Sequence, residues 1–130
     1  MGLISVIAAA AAAWFFGAAW YMALSRPWIA ASGIKCDETG KPEGGSALPF
    51  VLSAFAMIVV AGMMRHMFQM AAIGTPGAGA VSGLGVGLFF ISPWIMINNA
   101  YAMRPIRLTL IDGGYATFGC TLIGLVLTLF

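Results

Sequence analysis

The sequence predicts an all-α fold, a polytopic membrane protein in which four transmembrane helices form one bundle over residues 1–130. Of its 130 residues, 62% are hydrophobic and only 8% are charged, whereas soluble domains average roughly 45–50% and about 25%. Six Lys and Arg and four Asp and Glu side chains cannot cover the surface of a soluble globule of this size. Four hydrophobic runs, each long enough to cross a hydrocarbon core of about 30 Å, occupy most of the chain.

The first hydrophobic run predicts a helix over residues 3–25. It contains no charged residue, and Trp20 and Tyr21 lie near its end, as is typical of a membrane interface. A cleaved secretory signal is the alternative, but such a signal has a positive segment before an apolar stretch of only about 7–15 residues. We therefore expect an uncleaved helix.

A polar loop is predicted over residues 26–47, because charged residues, glycine and proline are concentrated there. The other three helices are predicted over 48–73, 78–101 and 106–130. Pro49 falls in a first turn, where proline is tolerated, whereas Pro93 lies inside its helix and should kink it.

The distribution of positive charge predicts the orientation in the membrane. Four spans place both termini on one side and the first and third connections on the other. Those connections hold five of the six Lys and Arg residues, namely Arg26, Lys35, Lys41, Arg104 and Arg107. Arg65 alone belongs to the side of the termini. By the positive-inside rule, the long loop is predicted to face the cytoplasm and both termini the periplasm.

Rows of small residues predict where the helices pack. Lipid removes the hydrophobic drive for helix association, so the backbones must approach closely. The rows are Ser5, Ala9, Ala13 and Gly17 on the first helix, Gly79, Gly83 and Gly87 on the third, and Ala116, Cys120, Gly124 and Thr128 on the fourth. Three such rows favour a homo-oligomer or association with other membrane subunits, although one chain could bury all of them internally.

Polar side chains near the cytoplasmic ends of the last two helices predict a cluster inside the bundle. Asp112 lies about 10 Å into the fourth helix, counted from Pro105, and ionisable groups at such depth usually face protein or water. We expect its partner on another helix. The predicted cluster comprises Asn98, Asn99, Tyr101, Arg104, Asp112 and Tyr115. It is interpreted either as a hydrogen-bonded lock that fixes helix register or as a ligand, proton or substrate site.

A methionine-rich stripe on the second helix is a minor candidate for Cu(I), which thioether and imidazole ligands suit. The stripe comprises Met63, His66, Met67 and Met70. Methionine is also an ordinary filler of apolar surfaces, and Arg65 and Gln69 beside it are expected to extend to the interface. We therefore assign no metal site, and the sequence implies no particular cofactor strongly. A disulfide between Cys36 and Cys120 is not expected either, because one lies in the polar loop and the other in an apolar run.

Several of these residues follow the pattern of a known family. They are Trp20-Tyr21 followed by Arg26-Pro27-Trp28, the glycine-rich third helix ending in Asn98 and Asn99, and the run from Arg104-Pro105 to Ile111-Asp112-Gly113-Gly114-Tyr115. On these residues the chain resembles the small bacterial four-helix membrane proteins of domain-of-unknown-function family 1761. The resemblance implies four helices in a bacterial inner membrane and no agreed activity.

The sequence ranks the function classes as follows. A net charge of +2 without clustered Lys and Arg excludes a nucleic-acid-binding surface, and no catalytic triad is evident, so no enzyme is expected. The first expectation is a small membrane protein with a structural or accessory role, as a homo-oligomer or a minor subunit of a larger complex in the lipid bilayer. The alternative is a small-solute or proton-coupled transporter or channel that uses Asn98, Asn99 and Asp112. A copper-binding membrane protein ranks third.

Overall fold

The computed structural model describes residues 2–40 and 44–130, so Met1 and the loop residues Lys41, Pro42 and Glu43 lie outside the described part. Within those residues the fold is all-α, with no β-strand. The elements are α1 (Gly2–Ala23), α2 (Ser25–Ser32), α3 (Leu48–Met70), α4 (Pro76–Gly85), a π-helical turn (Val86–Ile91), α5 (Ser92–Tyr101) and α6 (Ile106–Leu127).

Four helical spans in the described part are long and apolar enough to cross a membrane. They are α1, α3, the third span Pro76–Tyr101, and α6. The predicted class, a multi-pass helical membrane protein, is confirmed. The second and fourth helices end at Met70 and Leu127, a few residues before their predicted ends at 73 and 130.

The predicted loop over 26–47 is wrong in its first part, because that part forms α2. Pro27 lies in the first turn of α2, where a helix does not need its missing N–H. The helix ends at Gly33, whose φ of 74° is a left-handed conformation that glycine adopts without strain. The concentration of glycine that predicted a loop therefore applies only from Gly33 onwards.

The third span is irregular over Val86–Ile91, just before Pro93. The Ser92 N–H bonds to the Gly87 carbonyl five residues back, so this turn holds one residue more than an α-helical turn. Pro93 then falls in the first turn of α5, where its missing N–H is tolerated. The expected proline kink is thus replaced by a π-helical turn on its N-terminal side.

Helix α6 lies at the centre of the bundle. It packs on α1, α2, α3 and the third span, whereas α3 packs mainly on α1. The most deeply buried apolar residues are Ala9, Ala13, Ala61 and Ile123, which lie where α1, α3 and α6 meet. We call the end of the bundle at which α1 begins and α6 ends the termini end. The opposite end, which carries α2 and the connection between α5 and α6, is the loop end.

The small residues of the third span and of α6 face each other. A Cβ added to Gly79, Gly83 or Gly87 of the third span would overlap a backbone carbonyl of α6. The pairs are Gly79 with Gly124, Gly83 with Cys120, and Gly87 with Ala116. The first helix buries its own row as well, which comprises Ser5, Ala9, Ala13 and Gly17. One chain therefore uses all three rows of small residues in contacts between its own helices.

Candidate functional site

The loop end holds a connected set of polar and aromatic side chains from three helices. The last turn of α1, the short α2 and the second turn of α6 meet there, because the chain turns after α1 and lays α2 against α6. We call this set the aromatic junction, and it consists of Trp20, Tyr21, Trp28, Asp112 and Tyr115.

The Asp112 carboxyl is bound by α1 and α2. The Tyr21 hydroxyl donates a hydrogen bond of 2.6 Å to Asp112 Oδ1, and the Trp28 indole of α2 lies beside the carboxyl. Both neighbours are neutral groups rather than arginine or lysine. A carboxyl inside a membrane span needs donors from the protein, because lipid tails offer none. The partner that we expected on another helix is therefore Tyr21.

Trp20 joins α1 to the backbone of α6. Its indole N–H donates to the Ile111 carbonyl over 3.0 Å, and its ring covers Gly114. A Cβ on Gly114 would come within 2.8 Å of Trp20 Cζ2. The close approach of the indole thus requires glycine at this position.

Tyr115 reaches from α6 back to α1. Its hydroxyl donates to the Ala13 carbonyl over 2.9 Å, and a Cβ on Gly17 would lie 2.6 Å from the same hydroxyl oxygen. The Tyr115 ring meets the Tyr21 ring edge to face, with centroids 5.5 Å apart. Asp112, Tyr21 and Tyr115 therefore form one continuous line of contacts between the two helices.

Gly113 faces the third span instead of α1. Ser92 Oγ lies 2.7 Å from the Gly87 carbonyl oxygen and 3.1 Å from the Gly113 carbonyl oxygen. The Thr117 hydroxyl donates to the same Gly113 carbonyl over 2.7 Å. Ser92 thereby ties the π-helical turn to α6.

Residues 111–115 of α6 therefore each contact another helix. Asp112 and Tyr115 contact α1 through their side chains, Gly114 and Ile111 accommodate Trp20, and Gly113 meets Ser92. Every buried side-chain nitrogen or oxygen in the described part of the chain has a hydrogen-bond partner. The arrangement can hold α6 in register without any bound molecule.

The asparagines and Tyr101 of the predicted cluster lie away from Asp112. Asn99 Nδ2 donates to Thr109 Oγ1 over 3.1 Å and so bridges α5 to α6, whereas Asn98 and Tyr101 are exposed. The predicted convergence does not hold for these three residues. The π-helical turn is the physical reason, because its extra residue rotates the face that α5 presents to α6.

Arg104 also lies outside the junction. Its guanidinium packs against Gly33, at the C-terminal end of α2, where the carbonyl end of a helix favours a cation.

Of the six residues predicted to converge, the structure brings together only Asp112 and Tyr115, through Tyr21. The predicted cluster omitted Trp28, because residues 26–47 were interpreted as a loop. The available signal was the pair of Pro27 and Gly33, which are typical of the first turn and of the end of a short helix.

The methionine-rich stripe lies on the exposed side of α3. Its residues Met63, His66, Met67 and Met70 are all exposed, and the opposite side of the helix, with Met64 and Phe68, enters the core. Among residues 2–40 and 44–130, no group of three or more His, Cys, Asp or Glu side chains is placed to hold a metal ion. Cys36 and Cys120 are both free thiols, and the latter is buried.

Comparison with known proteins identifies the family. No curated protein and no solved structure matches the chain. A family model described as "Protein of unknown function (DUF1761)" matches residues 4–128, which include every residue of the aromatic junction. The chain therefore belongs to the DUF1761 family, the one that its sequence resembles.

Proposed function

We propose that this protein is a small accessory subunit of a bacterial inner membrane, with a structural rather than an enzymatic role. It works as a homo-oligomer or as a minor subunit of a larger membrane complex. The proposal rests on the Asp112 carboxyl of the aromatic junction, which already has a hydrogen-bond partner within the chain. Because Tyr21 of α1 already binds Asp112 of α6, the polar groups inside the bundle serve to join its helices.

Partner contacts are then expected on the outer faces of the bundle. The rows of small residues are used within the chain, so they no longer argue for an oligomer. The outer faces carry large aromatic side chains instead. On the third span Phe89 is 72% exposed and Trp94 67% exposed, and on α3 Phe55 is 66% exposed. A second membrane helix would pack on these faces.

The charges support an orientation with both termini in the periplasm. Among the described residues, Arg26, Lys35, Arg104 and Arg107 lie at the loop end and Arg65 at the termini end. Cytoplasmic connections carry the excess of Lys and Arg in membrane proteins. Reporter fusions at the two termini and in the loop would test this orientation directly.

Native mass spectrometry from a mild detergent tests the proposal, because it reports copy number and co-purifying subunits together. We expect multiples of the 13.6 kDa chain or a complex with another membrane protein. In-membrane crosslinking provides the second test, with Phe55→Cys and Phe89→Cys in a Cys36→Ser background. The Cys36→Ser parent is the control, since its remaining thiol is buried. A monomer that forms no crosslink through either cysteine would contradict the proposal.

A proton-coupled transporter has weaker support, because Asn98, Asn99 and Asp112 do not line one path. Asp112→Asn tests it, since the amide oxygen can still accept the Tyr21 hydrogen bond but the side chain can no longer carry a proton. If the wild type shows proton-coupled flux in proteoliposomes and Asp112→Asn shows none, transport would replace the accessory role. Copper binding has the weakest support, and metal analysis after copper loading tests it.

A further inference from the structure

A polar cleft lies at the termini end, opposite the aromatic junction. The ends of α1, α3 and α6 enclose about 190 Å³ there. The side chains that matter for its chemistry are Ser5, Arg65, Phe68, Gln69, Leu127 and Thr128. Phe68 and Leu127 are buried and form an apolar floor, whereas the polar groups lie nearer the membrane interface, at the start of α1 and the last turns of α3 and α6.

Two of the polar side chains in the cleft are already engaged. The Ser5 hydroxyl donates to the Gly2 carbonyl over 2.9 Å, and the Thr128 hydroxyl lies 2.9 Å from the Gly124 carbonyl oxygen. The side chains of Arg65 and Gln69, by contrast, have no hydrogen-bond or ion-pair partner among residues 2–40 and 44–130. The cleft therefore offers a full set of guanidinium donors and one amide.

The Arg65 guanidinium lies against the protein. A Cβ added to Gly2 would come within 2.6 Å of Arg65 Cζ, so the guanidinium packs on the backbone at the start of α1. Gly2 is the first residue of α1, so the guanidinium lies at the termini end, towards which Arg65 was expected to extend. The close contact holds the planar donor group beside the cleft.

No acidic side chain of the described chain can neutralise Arg65. Asp37, Glu38 and Asp112 all belong to the loop end, and a span of about 20 residues separates the two ends by about 30 Å. A guanidinium that has no acidic side chain near it, in a cleft that opens at the membrane interface, can bind an anion from outside the chain. Guanidinium groups bind phosphate through two parallel hydrogen bonds.

We propose that this cleft binds the phosphate group of an anionic phospholipid. Arg65 holds the phosphate, Gln69 donates a further hydrogen bond, and the apolar floor of Phe68 and Leu127 receives the start of an acyl chain. The floor distinguishes a lipid from free phosphate, because a free anion gains nothing from apolar walls. This inference is independent of the accessory role proposed above.

Lipid titration by native mass spectrometry tests the proposal on the purified full chain, with phosphatidylglycerol as the probe. Arg65→Gln removes the cation, and Arg107→Gln is the matched control, since Arg107 is an exposed arginine at the loop end. We expect Arg65→Gln to weaken binding of the first phosphatidylglycerol roughly tenfold, as loss of a charge-assisted hydrogen bond would. Arg107→Gln should bind as the wild type does.

Arg65→Lys keeps the proposal testable if Arg65→Gln fails to fold, because lysine retains the charge but loses the paired hydrogen bonds. Its binding should be intermediate between those of the wild type and a neutral side chain. Equal binding by wild type and every Arg65 variant would overturn the proposal. Equal binding of zwitterionic phosphatidylethanolamine would overturn the anionic specificity. Arg65-dependent binding of inorganic phosphate in the absence of lipid, as tight as that of phosphatidylglycerol, would overturn the assignment to a lipid.

Discussion

Removal of the Tyr21 hydroxyl tests the aromatic junction most directly. Tyr21→Phe keeps the ring, and with it the edge-to-face contacts to Trp28 and Tyr115, whose centroids lie 5.9 and 5.5 Å away. It deletes the donor that lies 2.6 Å from Asp112 Oδ1. The carboxyl then keeps Trp28 as a neighbour but loses this hydrogen bond. We expect a less stable protein with the same helix content.

The size of the effect follows from the kind of hydrogen bond. Side-chain hydrogen bonds in membrane proteins average about 0.6 kcal/mol in double-mutant cycles and reach about 1.7 kcal/mol. A short bond to a carboxyl belongs at the upper end of that range. We therefore expect Tyr21→Phe to lower the free energy of unfolding by about 1.5 kcal/mol. Tyr115→Phe is the matched control, because its bond to the Ala13 carbonyl joins two neutral groups and should contribute only about 0.6 kcal/mol.

The assay is reversible unfolding in mixed micelles by titration with sodium dodecyl sulfate, followed by tryptophan fluorescence. Tyr21→Phe, Asp112→Leu and the double variant form a cycle whose coupling free energy should be about 1.5 kcal/mol. The corresponding cycle with Tyr115→Phe should give less than about 0.5 kcal/mol. If the Tyr21 and Asp112 cycle also fell below that value, the hydrogen bond would not stabilise the junction and the lock would be refuted.

Three further predictions concern the helix contacts, and each is checked by the same unfolding assay. Gly83→Ala should destabilise the protein by about 3 kcal/mol, because the added methyl group overlaps a carbonyl of α6 and overpacking against backbone is poorly relieved. Its control Gly85→Ala, where nothing lies within 4 Å, should be neutral or slightly stabilising, and equal losses at both positions would contradict the packing. Ser92→Ala should cost about 1 kcal/mol through the lost hydrogen bonds at the π-helical turn, whereas Ser82→Ala, which removes no hydrogen bond between described residues, should have no measurable effect. Gly33→Ala should cost about 1–2 kcal/mol because of the positive φ, with Gly33→Asn closer to wild type; a stabilising alanine would show that α2 does not end as described.

The parts of the fold that depend on composition and on small-residue spacing were predictable from the sequence. Long apolar runs can satisfy their backbone in a membrane only as helices, so the four spans follow from hydropathy alone. The four-residue spacing of glycine likewise marks the face on which a backbone can approach another helix. Gly79, Gly83 and Gly87 lie on that face of the third span, although spacing alone could not say which helix they would meet.

The other features depend on local geometry that periodicity does not record. In a regular α-helix, Ile91 would face α6, because it lies four residues after Gly87. The π-helical turn places Ser92 on that side instead. Asn99, seven residues further, then faces α6, while Asn98 turns outwards. The position of α2 was missed for a similar reason, since a composition average over 26–47 mixes one short helix with a glycine-rich loop.

The aromatic junction supplies a register that the rows of small residues cannot. The glycines of the third span repeat every four residues, and so do the small residues opposite them on α6. A slide of α6 by one turn would therefore replace the pair of Gly83 and Cys120 by Gly83 and Ala116, two small residues again. The packing alone tolerates several alignments, because any small residue fits against a glycine.

Asp112 fixes the alignment of α6 against α1 in a way that small residues cannot. Its hydrogen bond to Tyr21 spans 2.6 Å and forms in only one alignment of α6 against α1. A slide by one turn would also bring Leu110 or Phe118 to the place where Trp20 now covers Gly114, where even a Cβ is too large. Asp112 and Gly114 thus specify the same register. Asp112 does so through its hydrogen bond to Tyr21, and Gly114 does so because the indole leaves no room for a larger side chain.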